Sequence, residues 1–294
     1  GDEFGGAVVL SRDGNTLAVG AIFEANSVGG INGDESANNL TLAGAVYVYV
    51  RDAGGSWSKQ AYIKAAQPST QARFGWALAL SSDGNTLAVA APGEDNFRGA
   101  VYVFTRSAAT WHQQQRVTAT IRTASDQFGA SIALSGHGDM LAVGAPFEDS
   151  DPADPQIGLL NSGAAYVFVR DAGVWTERAH LKSSNPTIGA SFGRSLALAS
   201  TAGGSTLAVG AWRGDGQATR AGLVDVFVTF EGHWTHQQAV FAPSGSTDDE
   251  FGTSVTLSDD GNTLAGGATG EDSAAKGINH VEANDDGPFS GAAY

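Results

Sequence analysis

Bulky and small apolar residues alternate along this chain in short bursts, and the bursts recur. Phe74, Trp76, Leu78 and Leu80 fall on one side of an extended strand, with Gly75, Ala77, Ala79 and Ser81 on the other, because successive strand side chains point to opposite faces. Phe128, Ala130, Ile132 and Leu134 divide from Gly129, Ser131, Ala133 and Ser135 in the same way. Neither side is strongly polar, so both are expected to be buried, the bulky face of one unit meeting the small face of the next. No helical 3.6-residue period competes along the chain.

These strands belong to a repeat. Phe-Gly recurs at Phe4, Phe74, Phe128, Phe192 and Phe251. A turn follows the strand, as Asp13-Gly14-Asn15, Asp83-Gly84-Asn85, Gly136 to Asp139 or Asp260-Gly261-Asn262, and loosens to Thr201–Gly204 in the fourth copy. Such Gly- and Asn-bearing turns between apolar runs mark hairpins. Next come second strands at 17–21, 87–91, 141–145, 207–211 and 264–268, then loops of variable length. Third strands open at Gly44, Gly99, Gly163, Gly222 and Gly291, and four copies close on a Trp-led segment at Trp57, Trp111, Trp175 and Trp234. Four antiparallel strands in a period of about 60 residues predict an all-β chain of β-propeller blades. A blade with two apolar faces cannot stand alone.

The expected division is one propeller domain over 1–294, with blades at approximately 4–73, 74–127, 128–191, 192–250 and 251–294. The fifth copy stops inside its third strand. The chain is therefore expected to be part of a longer one, or to have its last blade completed by another chain, since a bare edge strand invites pairing.

Charge narrows the partners. The chain has 31 acidic and 16 basic residues, for a net charge of −15. Nucleic acid is excluded, because phosphate binding needs clustered Lys and Arg; cations or basic partners suit this surface. There are no cysteines, so disulfides, thiolate catalysis and Cys-ligated zinc are absent. No apolar run reaches the roughly 20 residues of a membrane-spanning helix.

Phe128-Gly129 followed by Leu141-Ala-Val-Gly-Ala-Pro146 resembles the FG-GAP repeat of integrin α-subunit propellers and of many bacterial surface proteins. The other copies read Gly20-Ala21-Ile22, Ala90-Ala91-Pro92, Gly210-Ala211-Trp212 and Gly267-Ala268-Thr269. The resemblance implies a propeller whose loops between second and third strands share the ligand-binding face, and an extracellular, cell-surface or periplasmic address. Two departures stand out. The family's Asp-x-Asp-x-Asp-Gly calcium loop has shrunk here to Asp13-Gly14-Asn15 and its counterparts, too few oxygens for calcium. Integrin propellers also have seven blades, against five copies here.

The loops supply the candidate sites. Glu94-Asp95, Glu148-Asp149 and Glu271-Asp272 stand near loop starts, with Asp34-Glu35 and Asp285-Asp286 further on; they read either as a cation or ligand face or as turn chemistry. Asp149, Asp151 and Asp154 form the best metal candidate, calcium being the ion expected if any cofactor binds. Arg213-Gly214-Asp215 is an adhesion-type tripeptide in the slot where other copies carry Gly-Glu-Asp or Phe-Glu-Asp, so repeat drift also explains it. Trp212 beside it is a candidate ligand contact, whereas the four Trp residues of the fourth strands read as structural. His233 and His236 fall on opposite strand faces and do not share a metal. Asp225 replaces the third-strand tyrosines Tyr47, Tyr102 and Tyr166 and needs a partner. No catalytic motif is present. The expectation is a non-catalytic extracellular binding or adhesion module for protein or glycan ligands. The alternatives are a carbohydrate-active propeller enzyme, with two carboxylates about 5–9.5 Å apart in a cleft, and a structural subunit of a larger surface assembly.

Overall fold

A computed structural model of the chain describes residues 1–150, 158–243, 245–274, 277–278 and 287–294. It is all-β apart from one short helical turn at Glu94–Phe97. The first blade comprises β1 (Phe4–Leu10), β2 (Thr16–Ala21), β3 (Ala45–Arg51) and β4 (Trp57–Ile63). The second comprises β5 (Leu78–Leu80), β6 (Thr86–Ala91), β7 (Ala100–Ser107) and β8 (Thr110–Val117). The third comprises β9 (Ser131–Leu134), β10 (Met140–Ala145), β11 (Ala164–Asp171) and β12 (Val174–Leu181). The fourth comprises β13 (Ser195–Thr201), β14 (Gly204–Ala211), β15 (Leu223–Phe230) and β16 (His233–Val240). The fifth has three strands among the described residues: β17 (Phe251–Leu257), β18 (Leu264–Ala268) and β19 (Ala292–Ala293). Strands within each sheet neighbour one another in sequence order. The chain divides into two compact units, 1–143 with 167–178 and 144–166 with 179–294.

Phe-Gly itself does not open a regular strand as the alternation predicts. In the second, third and fourth blades it precedes the strand, and in the first and fifth the register slips between Phe4 and Ala7 and between Phe251 and Ser254. The reason lies in the preceding blade. Phe74 pairs in a parallel bridge with Gly44, Phe128 with Gly99, Phe192 with Gly163 and Phe251 with Gly222. Around each bridge the chains run side by side: the amides of Gln71, Arg73 and Phe74 donate to the carbonyls of Thr41, Leu42 and Ala43 at 2.9–3.0 Å. Gly44 sits at φ +81°, where a Cβ would strike the Phe74 backbone; only glycine fits such an approach. The glycines of the Phe-Gly and Val-Gly-Ala motifs meet in the same interface, the Gly20 position facing the Gly75 carbonyl. The motif is thus the seam where one blade joins the next.

The rings buried at these seams are Phe74, Phe128, Phe192 and Phe251, each at most 2% exposed. In the first unit a continuous core joins Val46, Val48 and Ile63 to Phe74, Leu87, Phe104 and Trp111; in the second, Val224 and Ala208 pack with Phe251 and Ala268. β1 departs from the expectation of two buried faces: Phe4, Val8 and Leu10 are 52–59% exposed, whereas Phe74, packed on the first blade, is 1% exposed. The fourth blade's turn is tighter than expected, with Thr201 paired to Gly204 across two residues.

The Trp-led strands lock neighbouring blades. Trp111 donates its indole N–H to Gln60 of the blade before it at 2.9 Å, while Arg106 lies 5.2 Å from the ring centroid and also donates to Gln60 and Thr16. Trp175 donates to Gln114 at 2.9 Å, with Arg170 stacked on it. Trp57 has an arginine, Arg51, but no such glutamine, and is 42% exposed.

Candidate functional site

Three residues past the Ala that ends the second strand stands a glutamate: Glu24, Glu94, Glu148 and Glu271. In each case except Glu94, one carboxylate oxygen accepts the amide of the residue two further on, Asn26, Ser150 or Ser273, at 3.0–3.1 Å, which holds the loop's first turn. In the first and third blades the second oxygen takes a lysine that directly follows the same blade's fourth strand. Lys64 donates to Glu24, the pair being 0% and 8% exposed. Lys182 donates to Glu148 at 2.6 Å and to Ser162 at 3.0 Å, the pair being equally buried. Burial lowers the Lys64 pKa from its ordinary value, with Glu24 opposing. These acids are structural in the first and third blades: a buried carboxylate needs such a partner.

The second blade carries the same constellation in open form. Thr118 stands where the lysine would be, and the cation comes from Arg116, which pairs with Glu94 at 2.6 Å. The other Glu94 oxygen accepts the Tyr102 hydroxyl at 2.7 Å. Burial and then Glu94 push the Tyr102 phenol upward; burial works against the Arg116 charge, but Glu94 outweighs it and raises that pKa. The Arg116 side chain is 36% exposed. Beside it opens a cavity of about 740 Å³, lined by Glu94, Asp95, Tyr102, Gln113, Arg116 and the 66–69 connection from the first blade. Its size is that of a small-molecule site. The Ala66 amide donates to Gln113, and the Ser69 hydroxyl is buried with no hydrogen-bond partner. Asp95 is held by Arg98 at 3.3 Å and Arg122 at 3.1 Å. Asp95, Asn96 and Phe97 all adopt left-handed backbone, φ 53–61°, a strained run for non-glycine residues that marks segments fixed by their surroundings.

The other candidates are dispersed. In the second unit, Gly214 of the Arg213-Gly214-Asp215 tripeptide is buried, and its carbonyl accepts the Gly222 amide. Asp215 accepts the Arg220 amide at 3.1 Å, and Arg213 folds back over the Trp212 ring at 4.1 Å. The tripeptide is therefore part of a folded loop rather than an extended tip. Asp149 accepts the Asn161 amide at 2.6 Å; Asp151 and Asp154 lie outside the described residues, as do Asp285 and Asp286. No cluster of three metal-ligating side chains occurs among the described residues. Asp272 accepts the Phe289 amide, Asp34 the Ser36 amide, and Glu35 pairs with Lys59. Asp13 is consumed by its own turn, accepting from Ser11 and Asn15.

Asp225 finds its partners. Fully buried, it accepts from the Ser183 and Ser184 hydroxyls and the Ser184 amide at 2.6–3.1 Å, and lies 2.8 Å from the His236 ring nitrogen. The fourth blade has Gly214 where the others carry glutamate and Phe241 where two carry lysine. Asp225 and His236 replace that missing pair.

Residue types alone did not reveal Tyr102, Gln113, Arg116 or the Glu24–Lys64 pair. A register signal was available: Lys64 and Lys182 stand seven residues after their blade's Trp, in step with Glu24 and Glu148.

No helix among the described residues is long and apolar enough to cross a membrane. No curated protein matches the chain. Residues 57–104 and 111–168 match the FG-GAP repeat. Each match runs from a Trp-led fourth strand through the first three strands of the following blade, and the bridge between the glycine before a blade's third strand and the Phe of the next blade's Phe-Gly recurs at all four described blade junctions. The chain carries FG-GAP repeats over 57–104 and 111–168, and it is all-β, with five blades of the β-propeller kind.

Proposed function

We propose that the chain is a non-catalytic, surface-exposed binding module, and that the second blade's cavity takes a neutral, polyhydroxylated ligand such as a glycan segment. The observation carrying this reading is the contrast between blades: the acid–base pair sealed in the first and third is open in the second, beside a cavity of about 740 Å³. Both signs of charge in its wall are already compensated, which favours hydroxyls over an ion. Gln67, Ser69 and Gln113 add donors and acceptors, and Pro68 an apolar face. Glu94 and Asp95 are both engaged by arginines, so neither stands as a free acid or nucleophile. FG-GAP repeats are typical of extracellular and surface proteins, which supports that address. The test is a glycan array followed by calorimetry of any hit against wild type, Gln113→Ala and Asp95→Asn. Loss of affinity by about tenfold or more in Gln113→Ala is expected; a hit that binds both variants as well as wild type sinks the assignment to this cavity.

A further inference from the structure

A second, separate cavity of about 420 Å³ lies in the first unit, lined by Glu3, Gly6, Ile22, Phe23, Arg73 and Trp76. Its composition differs from that of the first: four of the six residues are apolar or glycine, and the cation has no anion. Arg73 is half-buried, with its guanidinium 5.5 Å from the Trp76 ring centroid and 5.6 Å from that of Phe97. Its Nε is sealed from solvent without a hydrogen-bond partner, and among the described residues no carboxylate pairs with the side chain. This happens in a chain where acids outnumber bases 31 to 16, and where Arg98, Arg116, Arg122 and Arg220 all have acidic partners. Two aromatic rings thus lie against the guanidinium without supplying a hydrogen-bond acceptor. Backbone bonding fixes its root: the Arg73 amide donates to the Leu42 carbonyl at 2.9 Å, and the residue sits at φ 55°.

We propose that this cavity binds a carboxylate that carries an apolar group next to it, with Arg73 taking the carboxylate and Ile22, Phe23 and Trp76 the apolar part. A guanidinium held by aromatic rings and lacking an anion is pre-organised for a planar, two-oxygen acceptor. A carboxylate alone gains little from the three apolar side chains, and an apolar group alone leaves Arg73 as it is; the cavity's chemistry is used in full only by both together. Glu3, exposed on the cavity wall, faces such a ligand with like charge.

The same chemistry occurs in a free amphiphilic acid and at the carboxyl end of a polypeptide, and calorimetry on the whole 294-residue chain separates them. The probes are N-acetyl-phenylalanine, its primary amide, acetate, and an acetylated tetrapeptide acid ending in phenylalanine. N-acetyl-phenylalanine is expected to bind at least about tenfold more tightly than its amide and than acetate. Tighter binding of the tetrapeptide assigns the site to a chain terminus, and equal binding to a small acid. Arg73→Gln, checked for an unchanged circular dichroism spectrum, should lose the preference for acid over amide. Glu3→Gln, a surface change that leaves the fold alone, should tighten the acid about threefold and leave the amide unmoved. Equal affinity for acid and amide, or no binding of any probe up to about 10 mM, overturns the proposal. The cavity of the second blade takes no part in these outcomes.

Discussion

Replacing Lys64 with methionine tests how the buried pairs hold the blades. The change keeps the aliphatic stem and removes the ammonium. Lys64 is wholly inaccessible and Glu24 nearly so, so the carboxylate would be left with the Asn26 amide at 3.1 Å and the neutral Tyr62 hydroxyl beside it, and no cation. Stranding a buried charge in this way costs about 3–5 kcal/mol. At roughly 3 °C per kcal/mol for a unit of this size, the melting temperature should fall by about 10 °C. Adding Glu24→Gln removes the stranded charge and should return most of the loss, since a buried ion pair replaced by neutral groups of similar volume is close to neutral in stability. Urea unfolding of wild type, both single variants and the double variant gives the coupling energy directly, expected at about 2 kcal/mol or more. The exposed Lys59–Glu35 pair, whose side chains are 45% and 38% accessible, is the internal control, and Lys59→Met should stay within about 0.5 kcal/mol of wild type. A Lys64→Met variant as stable as the control, or a double variant that loses the sum of the two singles, refutes the reasoning.

Three further outcomes are expected. Gly44→Ala should destabilise by about 3 kcal/mol or more, because its Cβ meets the Phe74 backbone, whereas Gly55→Ala, at φ 86° with open space around it, should cost only about 1 kcal/mol; equal losses in thermal melts contradict the seam. At high pH, Tyr47 is pushed up to about 12 by burial and then by Glu35 and Glu24, and Tyr62 and Tyr102 are raised as well. Folded pKa values above the unfolded value of about 10 give stability that is complete below that pH and lost as pH rises through the folded values. Phenolate absorbance should therefore lag behind free tyrosine and rise with unfolding, and titration of every tyrosine near pH 10 with intact circular dichroism would count against it. At low pH the sign reverses: the Ser11 hydroxyl and then Asn15 hold Asp13 below its ordinary 3.8, so its contribution is present above that value and lost as pH falls through the folded pKa. Ser11→Ala should move the Asp13 titration, followed by carboxyl NMR, back upward; an unmoved curve rejects the hydroxyl as the cause.

The repeat, the four strands of each of the first four blades and the structural role of Trp111 and Trp175 were legible in the sequence, because hairpin turns and periodic apolar runs are local signals. The seam was not. Gly44 and Phe74 are thirty residues apart, and nothing local says that the glycine of one motif exists to receive the phenylalanine of the next. The alternation from Phe74 onward misplaced the strand start for the same reason, since pairing with the neighbouring blade bends Phe-Gly out of its own sheet. Glu94 and Asp95 could be named as loop acids, but Arg116 and Tyr102, which decide what Glu94 does, come from other strands. Of the metal candidate, Asp149 accepts the Asn161 amide, while Asp151 and Asp154 lie outside the described residues. Asp225 is an anomaly within its own strand, and its reason lies in distant positions, Gly214 and Phe241, which carry no charge where other blades have glutamate and lysine.

The offset between the family's repeat and the blade has a consequence for how such chains lengthen. A unit cut from Trp57 to Phe104 contains the closing strand of one sheet, the crossing that follows it, the phenylalanine Phe74 that meets the glycine before it, and the glycine Gly99 that meets the phenylalanine after it. Duplicating that stretch copies the phenylalanine half of one joint and the glycine half of the next, so a newly inserted copy arrives with a fitting half at each end. Blade number can then change by whole units without any compensating change elsewhere, and fusions or deletions made at Trp57, Trp111 or Trp175 should be tolerated where cuts at the Phe-Gly positions are not.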